Sequence, residues 1–323
     1  MSRPSVVILC PREFKFTDLD ASVERPFLAD VAGLSTVWLE YNSPFPAEVI
    51  DAHALILWHG PLVTAEIIGR LKNCRAIIRN GVGFDSVDVA AAARAGIPVC
   101  NVPDYGTEEV ADHALALALA LYRQLFPLDV EAKKLGWKIE TQHKMRRLNT
   151  QTFGIVGLGR IGTATALRAK AFGFRVVFYD PYVPNGVHKA IGIERVGSLA
   201  ELLTRSDLVS VHCPSNTETR GMIGAREIAL LKPTSFLVNT ARGDIVQKAP
   251  LFAALREGRL SGAGLDVVEN EPLRTPEEAA TPNLICTCHA AFCSPEGMVE
   301  MRSSSAKIAR AAVTGQPIWN RVN

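Results

Sequence analysis

Three side chains in the second half of the chain, Arg242, Glu271 and His289, have types that together could carry out acid–base chemistry on a small anion. A guanidinium holds a carboxylate through two parallel hydrogen bonds and polarises an adjacent carbonyl. An imidazolium delivers a proton to an oxygen that is gaining charge. A carboxylate on the other ring nitrogen raises the imidazole pKa and sets its orientation. Singly, each has a plainer account: the Arg as a surface charge, the Glu beside Pro272 as a loop residue, the His after a strand as a polar cap. Jointly they supply what the reduction of a ketone requires. Each also follows an expected strand, at the edge where open α/β sheets bind ligands.

The stretch Phe153-Gly154-Ile155-Val156-Gly157-Leu158-Gly159-Arg160-Ile161-Gly162 is a short apolar strand running through GxGxxG into a helix. Gly157 suits the tight turn, Gly159 the close approach of a pyrophosphate, and Gly162 the packing of helix on strand; the anion then lies on the free N–H groups of the helix start. GxGxxG alone is weak, because glycine is common. Here the next expected strand, Arg175 to Tyr179, ends in Asp180, a carboxylate that can accept both ribose hydroxyls of NAD(H) and repel the 2′-phosphate of NADP(H). NAD(H) is therefore the expected cofactor.

These residues need strands to carry them. Apolar runs at Val6 to Cys10, Thr36 to Glu40, Ala54 to Trp58, Ala76 to Arg79 and Pro98 to Asn101 alternate with helices expected near 20–32, 64–71 and 85–95. A second series starts at Phe153 and continues at Arg175 to Tyr179, Leu208 to His212, Phe236 to Asn239, Ala263 to Asp266 and Leu284 to Thr287. Helical stretches such as Ile161 to Ala171 and Leu251 to Glu257 lie between them. This alternation predicts α/β architecture with parallel sheets covered on both faces. Between the series, Glu108 to Gln124 has Ala and Leu almost all round, which predicts a helix buried on every side at a domain or subunit contact, after a hinge at Pro103 and Gly106. Pro295 to Thr314 reads as an amphipathic helix returning to the first domain. At 323 residues the length favours two domains. They are placed at 1–103 with 294–323, and at 104–293.

A formal charge of +2 with no dense basic run weakens any nucleic-acid reading. Lys133, Lys134 and Lys144 to Arg147 read as a solvated helical excursion. No apolar run is long enough to cross a bilayer, and the five-residue apolar stretch near the N-terminus is too short for a signal peptide, so a cytoplasmic location is expected. Seven cysteines, Cys10, Cys74, Cys100, Cys213, Cys286, Cys288 and Cys293, read as buried thiols in a reducing compartment. A zinc site from Cys286, Cys288, His289 and Cys293 has unusual spacing and would consume the proposed acid, so no metal is expected. His59 reads equally as a substrate contact or a strand cap, and His113 as a hydrogen-bonded buried imidazole.

The chain resembles the D-isomer-specific 2-hydroxyacid dehydrogenases. The matching stretches are Arg79 to Asp85, Asn101 to Asp112, the glycine motif with Asp180, Val238 to Gly243, Gly262 to Glu271 and His289-Ala290-Ala291. Arg168 to Phe174, Phe178 to Tyr182, Asn283 to Thr287 and Arg321-Val322-Asn323 are similar to the C-terminal-binding-protein branch. The resemblance implies a flavodoxin-like substrate domain, a Rossmann NAD-binding domain, and a catalytic triad of Arg242, Glu271 and His289 in a cleft that closes over a small 2-oxo or 2-hydroxy acid of D configuration. Arg242 would clamp carboxylate and carbonyl, His289 would act as acid in reduction and base in oxidation, and Glu271 would keep His289 protonated. It implies substrate contacts from Val82 and Gly83, with Trp58, His59 and Phe292 nearby. Thr107, Arg160, Ile161, Pro181, His212, Cys213, Pro214, Thr219, Thr240, Ala241, Asp266 and Ala291 would line the cofactor. A homodimer through the NAD domain is also implied, with neither nucleic acid nor membrane as partner. Two residues depart from the family pattern: Cys288 where a proline usually precedes the histidine, and Phe292-Cys293 where that branch has Trp-Tyr. The branch also allows an NAD(H)-sensing scaffold with little turnover. The complete triad, and the lack of a long tail after Asn323, favour the enzyme. A phosphorylated substrate would need further cations, for which Arg12, Lys15 and Arg79 are unplaced.

Overall fold

The computed structural model describes residues 3–12, 20–40, 43–139 and 145–323. Lys15 and Lys144 lie outside the described residues. The chain divides into two compact units, Met1–Gly106 with Cys293–Asn323, and Thr107–Phe292.

In the first unit, β1 (Ser5–Pro11), β2 (Gly33–Leu39), β3 (Ala54–Leu57), β4 (Ile77–Arg79) and β5 (Val99–Cys100) form a parallel sheet in the order β2-β1-β3-β4-β5. That is the flavodoxin-like order. Both neighbours of β1 are strands and both its faces are covered, so Val6, Val7, Ile8, Leu9 and Cys10 are all buried, as a parallel sheet requires. The helix expected over 20–32 is only Arg25–Leu28. Pro26 explains the shortening: lacking an N–H and clashing with the preceding turn, proline is tolerated only where a helix begins. Asp20 instead accepts the Ser22 N–H at 2.9 Å in a turn.

The helix Pro295–Thr314 belongs to this unit. Ser294 caps it by accepting the Gly297 N–H at 2.9 Å, Pro295 occupies its first turn, and Gly315, at φ 72°, ends it. Its inner face carries Met301, Ala306, Ile308 and Ala309, and also Arg302, whose guanidinium makes two 2.7 Å bonds to the carboxylate of Glu24; both residues are buried. Ser305 donates to Asn80 Oδ1 at 2.8 Å.

In the second unit, β6 (Thr152–Val156), β7 (Arg175–Tyr179), β8 (Glu194–Arg195), β9 (Leu208–Val211), β10 (Phe236–Asn239), β11 (Gly262–Leu265) and β12 (Leu284–Cys286) are all parallel, in the order β8-β7-β6-β9-β10-β11-β12. The chain builds outward from β6 to β8, then crosses back to β9 and builds the other way, which leaves a switch point between β6 and β9. The two-residue β8 has no apolar run to announce it.

The helix Thr107–Tyr122 is not buried on every side. Val110, Ala111, Ala114, Leu115, Leu117, Ala118 and Leu121 are buried, whereas Glu108, Asp112 and Ala116 form an exposed stripe at four-residue spacing. Alanine is compatible with either environment, so composition alone overstated the burial. The inner face lies close on β11. A Cβ on Gly264 would come within 3.0 Å of Leu117 Cβ, so the glycine sets how near the helix can approach. Tyr122 is buried beside Phe174 and Phe236, edge-on to the latter at 4.9 Å.

The cysteines are not uniformly buried. Cys10, Cys74 and Cys100 are buried, with burial pushing the first two thiols up to about 12. Cys286, Cys288 and Cys293 are exposed, because β12 is an edge strand and leads into a loop. Among the described residues no helix is long and apolar enough to cross a membrane.

Candidate active site

β6 runs into the glycine turn at the switch point. Gly157 has φ 90°, in the left-handed region, and a Cβ there would stand 2.7 Å from the backbone nitrogen of Cys213. A Cβ on Gly162 would meet the Gly157 carbonyl at 2.1 Å, so the helix Arg160–Ala171 starts directly against the turn. Among the described residues, none comes within 4 Å of where a Cβ on Gly159 would lie. Its exposed backbone, with the free N–H groups of Arg160 and Ile161 at the helix start, forms a cradle open to an anion. Asp180 follows β7. One carboxylate oxygen accepts the Leu158 N–H and the other the Tyr182 N–H, each at 2.8 Å, which fixes the group at the mouth of the turn. Pro181 is exposed beside it.

Three of the expected cofactor residues carry polar atoms that the protein itself leaves unsatisfied. Thr107 Oγ1, Thr240 Oγ1 and His212 Nδ1 are buried without a hydrogen-bond partner among the described residues. Buried polar atoms left in that state are costly, and a polar ligand would satisfy them. The other ring nitrogen of His212 meets Ser210 Oγ at 2.8 Å, and burial pushes its pKa down to about 3, so the ring is neutral. Burial also pushes the Cys213 thiol up to about 12, which keeps it from being a nucleophile. Thr219 turns its hydroxyl to the Pro214 carbonyl at 2.5 Å, and so secures its own loop.

Arg242, Glu271 and His289 follow β10, β11 and β12, three neighbouring strands, at one edge of the sheet. Asn239 clamps the turn that carries Arg242: its side chain donates to the Arg242 carbonyl at 2.9 Å and accepts the Ala241 N–H at 3.0 Å. The Arg242 guanidinium also donates to the Ala241 carbonyl at 2.7 Å. His289 Nδ1 lies 2.9 Å from Glu271 Oε2. A carboxylate only accepts, so Nδ1 carries the proton of that bond. Phe292 stands edge-on to the imidazole, ring centroids 6.2 Å apart.

His289 has φ 53°, a left-handed backbone that few non-glycine residues adopt. Asp266 holds it there. Its carbonyl accepts the His289 N–H at 2.9 Å, and its carboxylate accepts the Ala290 N–H at 2.9 Å, the Ala291 N–H at 3.0 Å and the Thr287 hydroxyl at 2.5 Å. Asp266, expected beside the cofactor, also anchors the histidine loop through its carboxylate. Sequence reasoning missed Thr287 entirely. Its signal was slight, a polar residue two places before the histidine in an apolar strand.

In the first unit, Trp58 and His59 follow β3, Trp58 buried and His59 half-buried. Arg79 ends β4 with its guanidinium 3.5 Å from His59 Nδ1. Val82 and Gly83 follow it, the Val82 carbonyl accepting from Asn101 Nδ2 at 2.7 Å. Arg12 is tied to the end of β2 through the Leu39 carbonyl. Among the described residues no three His, Cys, Asp or Glu side chains gather as metal ligands.

Residues 115–291 match the family described as D-isomer specific 2-hydroxyacid dehydrogenase, NAD binding domain. C-terminal-binding protein 1 of Caenorhabditis elegans is 34% identical over 98% of this chain and 44% of its own length. D-3-phosphoglycerate dehydrogenase of Methanocaldococcus jannaschii is 35% identical over 85% of this chain and 52% of its own. The chain thus spans about half the length of these relatives. The crystal structure of D-lactate dehydrogenase from Aquifex aeolicus, complexed with NAD and lactic acid, superposes with a TM-score of 0.85 at 31% identity, covering 96% of each chain. With the doubly wound sheet and the glycine turn, these matches show that this chain belongs to the D-isomer specific 2-hydroxyacid dehydrogenase family.

Proposed function

We propose that this protein is an NAD-dependent D-2-hydroxyacid dehydrogenase, interconverting a small 2-oxo acid and its 2-hydroxy acid. The observation that carries the reading is the 2.9 Å contact of Glu271 with His289 Nδ1, at the sheet edge that also carries Arg242 and the glycine cradle. NAD(H), when held there, would supply or accept the hydride exchanged at C2 of the substrate. Arg242 holds the substrate carboxylate and draws charge toward the C2 oxygen. In reduction, His289 gives its Nε2 proton to that oxygen; in oxidation, Nε2 takes the hydroxyl proton back. Glu271 fixes the ring and its tautomer, so that Nε2 faces the chemistry in both directions.

Gly157, Gly159, Arg160, Ile161, Gly162, Asp180, Thr107, His212 and Thr240 would hold the cofactor. Asp180 supports NAD(H) over NADP(H), because a second anion placed against its carboxylate would be repelled. The exposed side chains Leu125, Phe126, Val130, Leu135, Trp137 and Ile139 follow closely on the Thr107–Tyr122 helix. So much apolar surface in one segment supports a homodimer formed through the second unit.

A panel of 2-oxo acids, assayed by NADH absorbance on wild type and His289→Ala, tests the assignment. Turnover on at least one acid is expected, falling by roughly 10²–10⁴ in the variant while NADH binding persists. Turnover unchanged in His289→Ala would sink the assignment. Tight NADH binding with no turnover on any acid would favour a cofactor-sensing scaffold instead.

A further inference from the structure

We infer that His113 is a positioning residue for the His289 loop, acting through Thr287 and Asp266. The inference rests on the reading of His289 as the proton-transfer group. His113 sits on the Thr107–Tyr122 helix, distant in sequence from the loop, and its Nε2 is 2.9 Å from Thr287 Oγ1. The hydroxyl of Thr287 has one proton to give. At 2.5 Å its partner is Asp266 Oδ1, which can only accept, so the hydroxyl proton points to Asp266. The contact with His113 is then donated by the ring, which fixes His113 with a proton on Nε2. The same Asp266 carboxylate takes the N–H groups of Ala290 and Ala291. One chain of bonds therefore runs from the helix, through a hydroxyl and a carboxylate, to the two amides that follow His289.

Two features make this chain matter for His289 in particular. The backbone of His289 is left-handed, and a loop in that conformation persists only if its surroundings over-determine it. The residue before it is Cys288, which leaves φ free where a proline would lock it. The hydrogen bonds thus carry the constraint, and their common acceptor is shielded: the Asp266 side chain is 1% exposed, while that of His113 is half-buried. Bonds to a buried carboxylate are short and strong, and each polarises the next. His113 would thereby set how firmly Asp266 grips the loop without touching substrate.

The test uses four variants of the full chain. His113→Phe keeps a planar ring and removes the donor; Thr287→Val keeps the shape and removes the hydroxyl. His113→Gln and Thr287→Ser return the lost group. Amide hydrogen exchange at His289, Ala290 and Ala291, measured without cofactor, should quicken by about tenfold or more in the Phe and Val variants and return to within about threefold in Gln and Ser. Amides of β6, β9 and β10 should not change. On an accepted 2-oxo acid, kcat should fall about tenfold in Phe and Val, with NADH affinity held within about twofold. Loop exchange equal to wild type in both variants would overturn the inference. So would faster exchange spread across the whole sheet and not restored by Gln or Ser, which would mark His113 as a stabilising residue only. A wild type that turns over no 2-oxo acid removes the catalytic reading alone, since the exchange measurement still decides whether the chain of bonds holds the loop.

Discussion

Asp180 places its two carboxylate oxygens on separate N–H groups, of Leu158 and Tyr182, and so stands fixed before any ligand arrives. Asp180→Ala should weaken NADH binding by about tenfold or more, the scale of one lost charged hydrogen bond, and narrow the preference over NADPH; fluorescence titration with both cofactors reads both effects. His212 bears on pH. Its folded pKa, pushed to about 3, lies below the ordinary 6.5. Between those values the unfolded chain binds a proton that the folded chain does not, so its contribution to stability is present above pH 6.5 and is lost as pH falls toward 3. The slope is at most about 1.4 kcal/mol per pH unit. Urea unfolding of wild type and His212→Gln at pH 7 and pH 5 should show a smaller loss in the variant. At this scale, residue types and chain order made Arg242, Glu271 and His289 readable as candidates. The anchoring part of Asp266 was not readable, because its four bonds come from residues 287–291, which follow another strand.

The elements were legible where an apolar run coincided with a breaker, and less so elsewhere. Arg175–Tyr179, Phe236–Asn239 and Pro295–Thr314 have the expected bounds, since Asp180 and Thr240 close the first two and Ser294, Pro295 and Gly315 frame the third. The Arg25–Leu28 helix was overextended because the pattern of apolar residues continues through Pro26, whereas the backbone does not. β8 was missed because a two-residue edge strand needs only backbone pairing with Val177 and Phe178. The helix Pro295–Thr314 carries the buried Arg302–Glu24 pair. Glu24→Gln should destabilise the first unit by about 3–5 kcal/mol, because a buried guanidinium would lose its counter-charge; thermal unfolding checks the size. Gly264→Val should cost about 1–3 kcal/mol by driving the Thr107–Tyr122 helix off β11.

At the scale of the whole molecule, the apolar side chains from Leu125 to Ile139 lead to a measurable expectation. Trp137 is 92% exposed and Leu135 97%, more apolar surface than an isolated chain ordinarily presents in one segment. Sedimentation should show a dimer for wild type and a monomer for the double variant Phe126→Asp, Trp137→Asp; a wild-type monomer would exclude the homodimer. Two parallel α/β sheets, the glycine turn and the family were all readable from the chain, because periodicity, strand-turn-helix order and local spacing are properties of neighbouring residues. Contacts between distant residues became visible only in three dimensions: the grip of Asp266 on the His289 backbone, the hydrogen bond from His113 to Thr287, the pair formed by Glu24 and Arg302, and the exposure of Cys286 and Cys288. Each depends on which strand lies beside which, and on which face a helix turns inward. Burial and hydrogen-bond partners are set by that packing, which no local pattern encodes.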